Sequence, residues 1–217
     1  MRVILASTSP RRREILALLC LPFEVHAPDF EERLSNVKTP ESEVMGFSAG
    51  KARSIPHQEG SLILASDTLI VSQGEKIGKP RDLEDARRIL TQLSGHSHEI
   101  LTGVVILGPA RHQSFEHLER VHVEMLPFSE DEVDDYLKVG ESLDKAGAYS
   151  IQGRGSRFIA AIRGDYLAAV GLPLKVIANH LAFLGLDLPV AVDALYRERS
   201  FRNWKNLKVL EGLPAQS

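Results

Sequence analysis

Thiols are almost missing from this sequence: of 217 residues only Cys20 carries one, so no internal disulfide can form. Cys20 lies in the apolar run ILALLCLPF and reads as a small hydrophobe inside a core helix, which argues against cysteine catalysis or a thiolate zinc site. Long hydrophobic runs are missing as well. No apolar stretch approaches the roughly 20 residues that span a bilayer, and the opening MRVILASTSPRRR turns charged before an apolar signal region can build up. A cytoplasmic location with no membrane partner is therefore expected. Nor is there a surplus of positive charge. The 26 Lys+Arg against 29 Asp+Glu give a formal net charge of -3, which argues against a nucleic-acid partner, since non-specific binding needs a basic surface. A small anion held by a local arginine cluster stays open. The absence of any GxxxxGK[ST] run argues against a P-loop enzyme, and no internal repeat or low-complexity segment occurs.

What is present has the make-up of an ordinary globular protein, 43% hydrophobic and 25% charged, and is long enough to bury one substantial core. RVILA from Arg2 to Ala6 reads as a buried strand, and Ser9-Pro10 as a helix start leading into REILALLC. PFEVHA is a second short strand. Pro40 to about Ile55 is predicted helical, SLILA from Ser61 to Ala65 extended, and Leu69 to Ser72 extended again. LEDARRILTQLSG is an amphipathic helix closed by Gly95. HEILTGVVIL and FEHLERVHVEML, separated by GPARHQS, look like a long antiparallel pair. SEDEVDDYLKVG is predicted as a capped helix, GSRFIAAIRGDY as a strand and turn, and GLPLKVIANHLAFLG as a last core helix. The tail after Pro189 holds a basic helix at most and has no evident place in the core. Strands and helices interleave without strict βαβ alternation, so an α/β fold with a mixed sheet is expected.

Two constellations carry chemistry. Arg11, Arg12 and Arg13 crowd the first turn of the first helix, where the dipole is already positive and acids are preferred. The bland reading is a solvated basic turn. The sharper one is a polyanion seated on the helix N-terminus, where free N–H groups, serine hydroxyls and guanidinium forks act together. Geometry does not allow all three arginines to point one way, and Arg13 is the one expected at the surface. The second constellation is acidic. Asp67 follows SLILAS at what reads as the C-terminal end of a strand, the usual crevice of an α/β sheet. Asp29, Glu31 and Glu32 form an acidic loop after another strand. Phosphoanhydride hydrolysis needs hard oxygen ligands for a magnesium ion and a base to orient water, and carboxylates from two strand ends can supply both. Lys51, and Lys79 in the turn GKPRD, can neutralise phosphate charge.

In this order, LASTSPRRREIL, ASDTLI, GKPRD, LTGV, LDKAGAYSIQGRG and GDYLAAVGLPL closely resemble the Maf-like nucleotide pyrophosphatases, from about Val3 to Leu184. The resemblance implies an α/β fold related to the inosine triphosphate pyrophosphatases: an elongated mixed β-sheet flanked by helices, with two lobes around a cleft. It also implies a homodimer and a divalent cation, Mg2+ or Mn2+. The nucleoside triphosphate substrate would be cut to monophosphate and pyrophosphate. Residues 1–188 would form the family domain and 189–217 a C-terminal extension of unassigned role. Carried over by position, Asp67 is the catalytic acid and a metal ligand, Glu32 a metal-associated carboxylate, and Ser7, Arg12, Lys51 and Lys79 bind phosphate. Arg11, Thr68 and Gln152 match the branch acting on dTTP and UTP, where a sister branch acting on N7-methylguanosine triphosphate has tryptophan, glutamine and glutamate. A glutamine amide offers both donor and acceptor to the O4/N3–H edge of uracil or thymine. The chain departs from the family at GFSAGKA, where Gly46 and Gly50 should weaken the helix that carries Lys51. Two rival readings remain at this point: a pyrophosphatase for the methylated guanine nucleotide, and a nucleotide-binding regulator of cell division with little turnover.

Overall fold

The computed structural model describes residues 1–110 and 113–212. Residues 111–112 of the segment between the two long strands, and the end of the 189–217 extension beyond 212, lie outside them. Strand β1 (Arg2–Ala6) leads through Ser7-Thr8-Ser9 into helix α1 (Pro10–Ala17). Ser9 caps α1 as its sequence predicts, its side chain accepting from the Arg12 amide, with Pro10 at the first helical position. Strand β2 (Phe23–His26), helix α2 (Pro40–Ser54) and strand β3 (Ser61–Ser72) follow, then β4 (Glu75–Ile77), α3 (Leu83–Leu93), β5 (Ser97–Leu107) and β6 (Ser114–Met125). The chain continues with α4 (Glu130–Leu137), β7 (Ile159–Arg163), α5 (Tyr166–Val170) and α6 (Leu174–Phe183), and then α7 (Val192–Glu198) and β8 (Val209–Leu210). The sheet order is β2-β1-β3-β5-β6-β7-β8, with β4 attached to β3. β2, β1 and β3 are parallel, while β3–β4 and β6–β7 are antiparallel. The sheet is therefore mixed, as expected. None of the described helices is long and apolar enough to cross a membrane.

Among the described residues the chain divides into two compact units. Met1–Thr68, Thr102–Glu119 and Val170–Arg199 form the first; Leu69–Leu101, Arg120–Ala169 and the segment from Ser200 form the second. In the first, α2 lies on the sheet through Ala49 and Ala52, which with Ile55 just past its end pack with Ile4, Ala6, Ile63, Ala65 and Val105. On β5, Gly103 brings the backbone so close to α2 that a Cβ there would sit 2.9 Å from Ser48 Oγ and 3.0 Å from Met45 Sδ. Gly50 has a similar cause. A side chain at that position would overlap the Phe30 ring, so the glycine that costs helix propensity also makes room for the acidic loop.

In the second unit, Ser129 and Glu132 form a reciprocal cap at the start of α4. Phe158 packs edge-on to Tyr136, with ring centroids 5.3 Å apart.

Several expectations need correction. Cys20 is not in a core helix: α1 ends at Ala17, and Cys20 is exposed with φ 51. Its backbone turns left-handed immediately before Leu21-Pro22, because the residue preceding a proline resists helical geometry and the helix must stop first. Asp67 is not at a strand end. β3 runs unbroken from Ser61 to Ser72, because β4 gives its far half a partner at Ile70, Val71 and Ser72. The parallel neighbour β1 is in register with β3 only from Ser61 to Leu64 and so stops short of Asp67. The tail helix α7 is not basic, having the sequence VDALYRE. Beyond it the tail is part of a core: Trp204 and Leu207 are buried in the second unit, and β8 adds to the sheet in parallel with β7.

Candidate active site

Side-chain alternation along β3 builds the site. Ile63, Ala65 and Asp67 share one face of the strand, and the first two lie in the core under α2. Asp67 is therefore the polar end of an apolar row, 5% exposed. Lys51 of α2, itself buried, hydrogen-bonds Asp67 Oδ1. The same ammonium lies 2.5 Å from Glu32 Oε1. Glu32 is thus drawn out of the acidic loop, while its neighbour Glu31 makes a surface pair with Arg33 at 2.6 Å and Asp29 is exposed.

The opposite face of β3 carries Ser66 and Thr68. Ser66 Oγ donates to the Gly171 carbonyl at 3.0 Å, and Arg12 Nε donates to that same oxygen at 3.0 Å. Arg12 Nη2 donates to Thr68 Oγ1 at 3.2 Å and lies 4.0 Å from Asp67 Oδ1. Thr68 Oγ1 also meets Thr102 Oγ1 of β5 at 3.2 Å. Arg12 thereby faces the carboxylate, while Arg13 is exposed and Arg11 half-buried. Ser7 is buried, and its Oγ accepts from the Ser9 amide at 3.1 Å, bracing the turn that starts α1.

Electrostatics follow from this burial. Desolvation pushes the Asp67 carboxyl above the ordinary carboxylate range; Lys51 and Arg12 pull it back, and Glu32 adds to the rise. Burial likewise lowers the Arg12 guanidinium, with Asp67 opposing and Arg11 adding to the fall. Among the described residues no group of three or more His, Cys, Asp or Glu side chains could by itself hold a metal ion. What is present is a pair of carboxylates, Glu32 and Asp67, both directed at one cationic nitrogen. Two hard oxygen donors around a positive charge suit an ion that completes its shell with water and phosphate oxygens, as magnesium does.

The structure therefore brings Arg12, Glu32, Lys51, Asp67 and Thr68 together in the first unit. Lys79 and Gln152 belong to the second. Lys79 is exposed in its turn, where the preceding Gly78 carbonyl accepts from the Gly147 amide at 3.2 Å. Gln152 is half-buried, and its Oε1 finds no hydrogen-bond partner among the described residues. Gly171 and Thr102 were missed as site residues although GLPL and LTGV mark both places. Gly171 has φ +127, a backbone conformation that side chains rarely adopt, and a Cβ there would only touch Thr68 Oγ1 at 3.4 Å and Arg12 Nε at 3.6 Å, so it is the backbone turn that asks for glycine.

A family model described as Maf-like protein matches residues 2–184. A dTTP/UTP pyrophosphatase of Anaeromyxobacter dehalogenans is 44% identical over 191 residues, 87% of this chain and 96% of that one. A dTTP/UTP pyrophosphatase of a Geobacillus species is 40% identical over 185 residues, 85% of this chain and 98% of that one. Among solved structures, a HAM1 protein from Coxiella burnetii gives a TM-score of 0.45 at 14% identity, over 84% of this chain and 99% of that one, a likeness too slight to argue from.

Proposed function

The chain belongs to the Maf-like protein family, and we propose that it is a pyrophosphatase hydrolysing dTTP and UTP to the monophosphate and pyrophosphate. The observation that carries this reading is the Asp67 carboxylate, buried on β3 and flanked by Lys51 and Arg12. A base for water must be close to cations that hold phosphate and yet keep a raised affinity for the proton it takes, and burial gives Asp67 that affinity.

In the reaction, a water oxygen attacks the α-phosphorus and its proton passes to Asp67. The bond from the α-phosphorus to the bridging oxygen breaks, and pyrophosphate leaves. Arg12 is held by Gly171 and Thr68 through two of its donors, and its remaining N–H groups are directed to phosphate oxygens. Arg11 and the amides opening α1 add positive potential at the same place. Ser7 shapes the turn that presents those amides. Lys51 and Lys79 neutralise the charge that pyrophosphate develops on leaving. Glu32 and Asp67 would hold a divalent cation, Mg2+ or Mn2+, which supplies Lewis-acid stabilisation of phosphate charge. Gln152 reads the base: its unpartnered Oε1 suits the N3–H of uracil or thymine. Thr68 acts on substrate choice through the arginine it fixes.

The purified protein with magnesium and a panel of triphosphates provides the test. Pyrophosphate should appear as the direct product, fastest from dTTP and UTP, and chelation of the metal should stop turnover. Orthophosphate as the direct product would overturn the bond assignment. Faster turnover of N7-methylguanosine triphosphate than of UTP would overturn the role given to Gln152.

A further inference from the structure

The tail outside the family match contributes to the second unit a residue that touches the loop bearing Gln152. Asn203 Nδ2 donates to the Gly153 carbonyl at 3.0 Å and lies 3.2 Å from Ser156 Oγ, which itself donates to the same carbonyl at 2.8 Å. Gly153 directly follows Gln152. On the other side, the Ser150 amide donates to Tyr136 Oη at 2.9 Å, and Gly155 packs so tightly on Ser150 that a Cβ there would lie 2.7 Å from its nitrogen. Gln152 thus hangs between two fixed points of backbone, one set by α4 and one set by the tail.

Its own side chain does not fix it. The Oε1 acceptor has no partner among the described residues, so the direction of the amide follows from the backbone on either side. Asn203 is itself held in place. It adopts φ 58, a left-handed conformation that asparagine tolerates better than most residues. Next to it Trp204 stacks on Tyr166 with centroids 5.1 Å apart, and Tyr166 Oη donates to the Arg202 carbonyl at 2.5 Å. We infer that Asn203 is a positioning residue for substrate choice: it clamps Gly153 and so aims the Gln152 amide at the pyrimidine edge. The inference rests on the base-reading role proposed for Gln152.

The experiment compares kcat/KM for UTP and for CTP, whose ring nitrogen N3 is an acceptor and whose donor is the exocyclic N4 amine, so that an amide aimed with Oε1 at N3 meets an acceptor instead of a donor. Asn203→Gly keeps the left-handed backbone and deletes only the amide. Its UTP-over-CTP ratio should fall about fivefold, through KM for UTP with kcat nearly unchanged. Tyr166→Phe, which removes the bond to the Arg202 carbonyl beside Asn203 but leaves the Asn203 amide in place, should lower Tm and reduce the ratio less than Asn203→Gly does. Gln152→Ala should cut the ratio by about tenfold, and adding Asn203→Gly to it should cut no further. A ratio kept in Asn203→Gly but lost in Gln152→Ala overturns this inference alone. A ratio kept in Gln152→Ala overturns the base-reading role and the inference with it.

Discussion

Arg12 donates from Nη2 to the hydroxyl of Thr68 across 3.2 Å, which ties the first turn of α1 to the residue next to the buried carboxylate. Thr68→Val keeps the shape and removes the hydroxyl. It should lower kcat/KM for UTP about tenfold, because a half-held guanidinium no longer waits in one orientation. Arg12→Lys should cost more, about a hundredfold, since an ammonium cannot serve Gly171, Thr68 and a phosphate with one planar fork. Steady-state kinetics at fixed magnesium distinguishes the two.

Asp67→Asn should reduce kcat by about a thousandfold or more while a non-hydrolysable dTTP analogue still binds. The pH profile gives a second reading. The base works only deprotonated, and burial raises its pKa, so activity should fall on acidification at a pH above the ordinary aspartate value of about 3.9. Lys51→Met removes the largest of the influences that hold the carboxyl down, so whatever activity remains should have its acid limb shifted to still higher pH.

Gly46 and Gly50 sit in one helix and should respond in opposite ways to alanine. Nothing lies within 4 Å of a Cβ built at Gly46, so Gly46→Ala should stabilise the fold by about 0.5–1 kcal/mol. At Gly50 the Phe30 ring occupies the space, and Gly50→Ala should destabilise by about 1–3 kcal/mol despite the better helix propensity. Urea unfolding of both variants settles the signs.

His98 is buried beside Tyr149, its Nε2 2.8 Å from the phenol oxygen, and burial lowers its pKa to about 3. The unfolded chain takes up this proton near pH 6.5 and the folded one does not. Stability from this group is therefore complete above pH 6.5 and drains away as pH falls toward 3, at up to about 1.4 kcal/mol per pH unit. His98→Gln retains an amide for Tyr149 and removes the titration. Its Tm should vary less than that of the parent between pH 6.5 and 4.5.

Periodicity and capping chemistry made the elements readable. Ser9-Pro10, Pro40 and Ser129 each announce a helix in the sequence and open one in the structure, where Thr39 and Glu132 complete the caps. The cationic turn was legible because it breaks a local rule, three cations at a positive helix end, and Asp67 because it follows an apolar run, although its place inside β3 was not. What could not be read is set by distant neighbours. Cys20 continues an apolar pattern, and only the turn before Pro22 puts it outside. Thr102 and Gly171 look ordinary until β5 and the segment before α6 bring them to Thr68 and Arg12. Gly50 counts against its helix until Phe30 is seen against it. The burial of Trp204 has no local signature, because one aromatic in a charged tail shows no period.

The pairing of β8 with β7 has a practical side. The family model matches only as far as residue 184, yet Ile162 draws its amide's acceptor from Lys208 and Gly164 draws its own from Leu210. A shortened gene that ended where that match ends would yield a protein with an open β7 border and a bare Tyr166 ring, two adhesive surfaces at once. Such a product should collect in inclusion bodies, whereas versions ending after Leu210 should stay in the supernatant.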